Sequence, residues 1–194
     1  VLNAKHFGIP QDRERIFIVG VRNNVKFTFK FPKATHGKPG LRETVKLGDE
    51  KYGIKHIRSR KSERCDDYFS SRYMSRNRIK KWNEVSFTIP AEAAQVPLHP
   101  SCTRMWNLPA SVISEVKDSE WNEFRSKHED DMYDKMKRLS RRQCAKIQGF
   151  PENYQFAGDT ISIYRQIGNA VPPPLMKKVA SCIIQYFKGK KSSF

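Results

Sequence analysis

Phe7-Gly8-Ile9-Pro10-Gln11-Asp12-Arg13-Glu14-Arg15 runs without a break into Ile16-Phe17-Ile18-Val19-Gly20-Val21, and this junction decides the fold. Its second half is a short continuous apolar run rich in β-branched residues, the pattern of a strand covered on both faces of an α/β sheet. In the first half Gln11, Arg13 and Arg15 alternate with Asp12 and Glu14, so an extended backbone points all three to one side. Two arginines just before a central strand make a forked donor set. It can hold a carbonyl oxygen or a phosphate, because the guanidinium is planar and keeps its proton. The same spacing also suits arginines ion-paired with Asp12, Glu14 or other nearby acids.

Outward from this junction, Val25, Phe27, Phe29 and Phe31 alternate with Lys26, Thr28 and Lys30, which predicts a half-buried strand ending at Pro32. Residues 33–67, with scattered Gly, Pro and charge, read as loops and short strands. Ser140 and Gln143 form an S-x-x-Q capping box that opens a helix running to Gln148, and Gly149 and Pro151 end it. A last helix, Leu175 to Phe187, is entered through Pro172, Pro173 and Pro174. Leu175, Met176, Val179, Cys182, Ile183 and Tyr186 form its apolar stripe. Ahead of it stands Gln166-Ile167-Gly168-Asn169-Ala170-Val171-Pro172-Pro173. Gly, Asn and Ala let a backbone approach a ligand closely at a helix entrance, where free N–H groups favour a carboxylate or phosphate. An ordinary tight turn capping the last helix fits the same residues.

The 194 residues carry 37 Lys+Arg against 20 Asp+Glu, a net charge of +17 that calls for a polyanionic partner. Hydrophobic residues are 38% of the chain, with 12 Phe, 7 Tyr and 3 Trp, enough for a core and against wholesale disorder. No run approaches the ~18 apolar residues of a membrane span, and the amino terminus has no signal-peptide pattern. Cys65, Cys102, Cys144 and Cys182 include no C-x-x-C pair, so neither a metal site nor a disulfide framework is expected, and a reducing cytoplasmic compartment fits. From Lys55 to Lys81 there are ten Lys/Arg and three Asp/Glu, with Tyr68, Phe69, Tyr73 and Trp82 in or beside the run. Cations displace phosphate counterions and aromatic rings stack or pack beneath them, so this is the candidate nucleic-acid face. Within it, Met74-Ser75-Arg76-Asn77-Arg78 puts two arginine forks on one side of an extended loop. Arg76 and Arg78 are the candidate base readers, assisted by Ser75 and Asn77; contact with phosphates alone is the other reading. The stretch from Glu115 to Asp134 reverses sign, with eight acids and three bases, and reads as a solvated helix or insertion facing away from phosphate.

Taken together and in this order, the segments resemble the carboxy-terminal part of cytosine-5 DNA methyltransferases. Gly8 to Gly20, GIPQDRERIFIVG, resembles the eighth motif of that family, with its Q-x-R-x-R core at Gln11, Arg13 and Arg15. Leu139 to Pro151, LSRRQCAKIQGFP, is similar to the ninth, and QIGNAVPP from Gln166 resembles the tenth. The family inserts its variable target-recognition region between the eighth and ninth. Within the family, YMSRNR, WNEVSFTIPA and PLHP are similar to bacterial restriction-modification enzymes that methylate GGCC. Where those carry a further Arg after the SFT-type strand, this chain reads Ala91-Glu92-Ala93-Ala94-Gln95.

The resemblance implies an α/β fold, the trailing portion of a doubly wound S-adenosylmethionine-dependent methyltransferase sheet. Residues 1–30 and 157–194 would belong to the catalytic domain, and 31–156, ninth motif included, to a small, irregular, β-rich target-recognition domain. It implies transfer of a methyl group from S-adenosylmethionine to carbon 5 of a cytosine flipped out of double-stranded DNA. Arg15 would bond the cytosine O2, with Arg13 and Gln11 steadying that arginine or the flanking backbone. Asn169, Ala170 and Val171 would line the methionine end of the cofactor pocket. The family's Pro-Cys nucleophile is absent: the cysteines follow Arg64, Ser101, Gln143 and Ser181. Glu-Asn-Val is absent too, since Glu152-Asn153 continues into Tyr154, and no glycine-rich loop opens the chain. The expectation is that these residues carry one side of an active site, are inactive alone, and need an amino-terminal catalytic half on the same chain or a separate subunit. A separately encoded specificity subunit, or a DNA-binding fragment without catalysis, is the alternative.

Overall fold

The computed structural model describes residues 1–35, 64, 73, 77–82, 84–102 and 137–190. Ser75 and Arg76, most of the basic run and the acidic stretch from Glu115 to Asp134 lie outside the described residues. Two short strands, β1 (Leu2–Asn3) and β2 (Glu14–Arg15), pair antiparallel, with Leu2 opposite Arg15 and Asn3 opposite Glu14. The chain turns between them through a 3-10 turn, Ala4–Phe7, which Gly8 ends at φ 80°, a conformation that favours glycine. Asn3 organises the turn: its side chain accepts from Lys5 N and Arg13 N, both at 3.2 Å, while its Nδ2 donates to Asp12 at 2.7 Å.

Among the described residues three α-helices follow. α1 (Arg141–Gln148) starts on the expected capping box. Gln143 N donates to Ser140 Oγ at 3.3 Å and Ser140 N to Gln143 Oε1 at 2.8 Å, and Gly149 at φ 81° closes the helix. α2 (Thr160–Asn169) is capped by Asp159, which accepts from Ser162 N at 2.8 Å. α3 (Pro173–Lys190) begins at the proline run, where a missing N–H costs nothing. The main core joins α1 and α2 to the segment between Ile89 and Val96: Ile89, Ala93, Val96, Leu139, Cys144, Ala145, Ile147, Ile163, Tyr164 and Ile167 are all buried. A second cluster sets Leu175 of α3 against Ala4, Phe7 and Ile9. The first thirteen residues are thus tied to the last helix. Cys144 is fully buried, as a small apolar residue should be, and burial pushes its thiol well above the ordinary range.

Four expectations change. Ile16 to Val21 forms no strand: Ile16 is 74% and Ile18 93% exposed, because no described strand pairs with the run that needs cover on both faces. Val25 to Phe31 also lies outside any ladder and closes on local bonds instead, Val25 N to Arg22 O at 2.9 Å and Phe27 N to Val25 O at 2.8 Å. Its alternation survives nonetheless, with Val25, Phe27 and Phe29 half-buried and Lys26, Thr28 and Lys30 exposed. Gly168 and Asn169 belong to the last turn of α2 and do not form a loop at the entrance of α3. Met176 is 44% exposed, since one helical step carries it off the face on which Leu175 and Val179 are buried.

Candidate active site

Arg13 is completely buried and meets no carboxylate among the described residues. Its fork spans two elements instead. Nη1 donates to Ile89 O at 2.9 Å, and Nη2 to Gly168 O at 2.5 Å and Ala170 O at 2.9 Å. The last carbonyls of a helix have no partners within it and carry the negative end of its dipole, so a guanidinium is well suited to cap them. Burial pulls the Arg13 guanidinium down to about 10, with the charge of Arg15 adding to the effect, and it remains a cation at neutral pH. Gln11, also fully buried, accepts from Ile89 N at 3.2 Å and from Arg13 Nη1 at 3.4 Å, and donates to Gln148 at 3.4 Å. Gln148 in turn donates from Nε2 to Ile167 O. Residues from all three motifs meet in this one buried knot.

The arginines are not ion-paired with their acidic neighbours. Asp12 is taken by Asn3 and by Lys5 Nζ at 3.0 Å, and its backbone pairs with the middle of the chain, Asp12 N donating to Ser86 O at 2.9 Å. Arg15 is half-buried, its Nη1 donating to Glu14 O at 2.5 Å, and burial lowers its guanidinium too. Arg13 grips the carbonyls on either side of Asn169, whose own side chain is exposed, as is Val171. One arginine therefore fastens the turn that carries Asn169, and Arg15, two residues on, pairs with no acid among the described residues.

Of the expected base readers, Asn77 is exposed and its Oδ1 accepts from Ile79 N at 3.0 Å. Arg78 lies over the Tyr73 ring, 4.3 Å from its centre. It donates from Nε to Tyr73 O at 3.0 Å, from Nη1 to Gln95 O at 3.3 Å and from Nη2 to Gln95 Oε1 at 2.7 Å. Gln95 comes from the stretch where the sequence lacks the further arginine. Tyr73 is fully buried, its hydroxyl donating to Val96 O at 2.5 Å. His99 accepts at Nδ1 from Ser101 N at 3.1 Å and packs edge-on against Trp82; burial, then Lys137 and Arg64, lower its pKa.

Burial raises the Tyr73 phenol from 10.0 to about 12. A raised acid binds its proton longer in the folded than in the unfolded chain, so its contribution to stability is complete below pH 10. It falls by about 1.4 kcal/mol per pH unit between the two values. In urea unfolding at pH 10 and 11 the difference in stability between wild type and Tyr73→Phe is expected to change by this amount, the opposite contribution of Arg13, lowered to about 10, being common to both proteins. Equal slopes in both proteins would exclude Tyr73 as the source. The Cys144 thiol adds a further loss that both proteins share.

Sequence reasoning missed Gln148, Gln95 and Tyr73. For Gln148 a signal existed: Cys144, Ile147 and Gln148 stand at i, i+3 and i+4, which puts the amide on the buried face of α1. Gln95 and Tyr73 meet Arg78 across a distance in sequence that no local pattern encodes.

An arginine with no acid partner among the described residues, in a chain of net charge +17, is suited to anions or carbonyl-bearing ligands. The class is a methylase: residues 1–185 match the family model for C-5 cytosine-specific DNA methylases, and the chain belongs to that family. It is similar to the Type II methyltransferase M.MthTI of Methanothermobacter thermautotrophicus, 37% identical over 199 residues, covering 97% of this chain and 56% of that protein. It is also similar to M.BsuRI of Bacillus subtilis, 38% identical over 197 residues, and M.BspRI of Lysinibacillus sphaericus, 36% over 201; each alignment covers 96% of this chain. The chain spans about half the length of these curated relatives, 56%, 41% and 42% respectively. Among the described residues no helix is long and apolar enough to cross a membrane.

Proposed function

We propose that this chain is the recognition and trailing catalytic portion of a DNA (cytosine-5-)-methyltransferase of a restriction-modification system, acting on a short GC-rich site of the GGCC type. The observation that carries the reading is the Arg13 fork, which joins the eighth-motif segment to the carbonyls around Asn169, while Arg15 pairs with no carboxylate among the described residues. Arg15 bonds O2 of the flipped cytosine and stabilises charge pushed into the ring as a cysteine of the amino-terminal half attacks carbon 6. Arg13 and Gln11 hold that arginine and its wall in place. Arg76 and Arg78 read bases, with Ser75 and Asn77 beside them. Tyr73 and Gln95 set the direction of Arg78.

The cofactor turn fits S-adenosylmethionine in the chemistry of its donors: the exposed Asn169 amide offers hydrogen bonds to an amino-acid end, and Val171 offers apolar contact. When bound, the cofactor supplies an electrophilic methyl group. Asn169, Ala170 and Val171 line its methionine end. The exposed Ile16 and Ile18 supply the face on which strands of the catalytic half complete a doubly wound sheet.

The test uses the full-length protein, labelled S-adenosylmethionine and a GGCC duplex. Arg15→Ala is expected to lower methyl transfer by roughly 100-fold or more, the scale for losing one donor to developing charge, with DNA affinity within about threefold of wild type. Equal losses in transfer and binding would refute the role given to Arg15. A wild type that methylates no cytosine would refute the function.

A further inference from the structure

Gln148 is fully buried at the end of α1, and its side chain works entirely outside its own helix. Its Nε2 donates to Ile167 O, in the last turn of α2, and its Oε1 accepts from Gln11 Nε2 at 3.4 Å. Among the described residues, the one backbone donor to Ile167 O is Ala170 N at 3.3 Å. The next carbonyls along, Gly168 O and Ala170 O, are held by Arg13. The whole exit of α2, the two residues before Asn169 and the one after, is thus fastened by two side chains from other elements. A buried amide is costly unless both its ends are bonded. Here one end fixes α2, and the other fixes Gln11, which is bonded to Arg13 and Ile89 N.

We propose that Gln148 is a positioning residue for the cofactor turn: from α1 it locks the last turn of α2 and so fixes Asn169, Ala170 and Val171 in the geometry that binds S-adenosylmethionine. This rests on the function proposed above. Gln148 touches neither cofactor nor base in this role. Without its amide, Ile167 O is left buried with one long bond, and the turn rotates to find another donor. Cofactor binding weakens, while the chemistry at Arg15 survives once cofactor saturates.

The experiment titrates the full-length protein with S-adenosylmethionine in a calorimeter without DNA, then follows methyl transfer to a GGCC duplex. Gln148→Leu is expected to weaken cofactor binding about tenfold or more and to raise the cofactor KM in parallel, with kcat within about threefold. Unchanged affinity, or a loss confined to kcat, overturns the inference. Gln148→Glu keeps the shape and covers the case in which the leucine variant does not fold. Protonated, its carboxyl can donate to Ile167 O and accept from Gln11; ionised, it has no donor to give. Its affinity relative to wild type is expected to be near one at pH 6 and about tenfold lower at pH 8.5, and a flat ratio overturns the inference. A wild type that binds no S-adenosylmethionine overturns the function itself and this inference with it. Binding by wild type with no response in either variant overturns the inference alone.

Discussion

Arg13→Ala is expected to destabilise the protein by about 3 kcal/mol, measured as a lower urea midpoint at an unchanged m-value, and to abolish cofactor binding together with methyl transfer. Three carbonyls, Ile89 O, Gly168 O and Ala170 O, lose a charged donor, the first two in buried bonds and the third in a part-buried one. Hydrogen bonds to a charged group are worth roughly 1.5–3 kcal/mol each. Part of that is offset, because the burial that pulls the guanidinium to about 10 is a cost the alanine protein no longer carries. Arg13→Lys separates charge from shape. A single ammonium can reach the Ile89 side or the α2 side but cannot bridge them, so lysine is expected to restore little of the lost stability. An alanine variant within about 1 kcal/mol of wild type would show that other donors satisfy the α2 exit.

What the sequence made legible divides along physical lines. Wherever a feature is encoded within one turn of chain it can be read directly: Ser140 with Gln143 predicts the capping box of α1, and Gly149 its end. Phase is legible too, since Val25, Phe27 and Phe29 keep their alternation even where no ladder forms. Pairing is not legible. Whether Ile16 to Val21 becomes a strand depends on neighbours it does not specify, and among the described residues those neighbours are absent. For the site, resemblance selected Gln11, Arg13 and Asn169, and alternation placed the first two on one side. Neither could show that Arg13 is fully buried on the exit of α2, because that contact is made 155 residues further on. α2 itself was hidden behind its own Gly168 and Asn169, poor helix formers that read as a turn.

That glycine gives the sharpest disagreement between local and tertiary reasoning. Gly168 lies inside α2 without positive φ, so helix propensity alone says that alanine there should stabilise by up to about 1 kcal/mol. Packing says the reverse. A Cβ at Gly168 would stand 2.2 Å from Pro90 O and 2.3 Å from Ala91 N, and both are backbone atoms that no rotamer change can move aside. Relief requires α2 to back away from the Ile89 to Ala91 segment by the better part of an ångström. Arg13 bridges that same gap, with Ile89 O on one bank and Gly168 O on the other, so opening it stretches the fork. Gly168→Ala is therefore expected to destabilise by about 3 kcal/mol or more, toward the upper end for overpacking, and to weaken cofactor binding with it. Because the two arguments differ in sign, one urea titration decides between them. A midpoint above wild type would mean that α2 is not pressed against the Ile89 to Ala91 segment, and that the close approach on which the proposed cofactor turn depends does not exist.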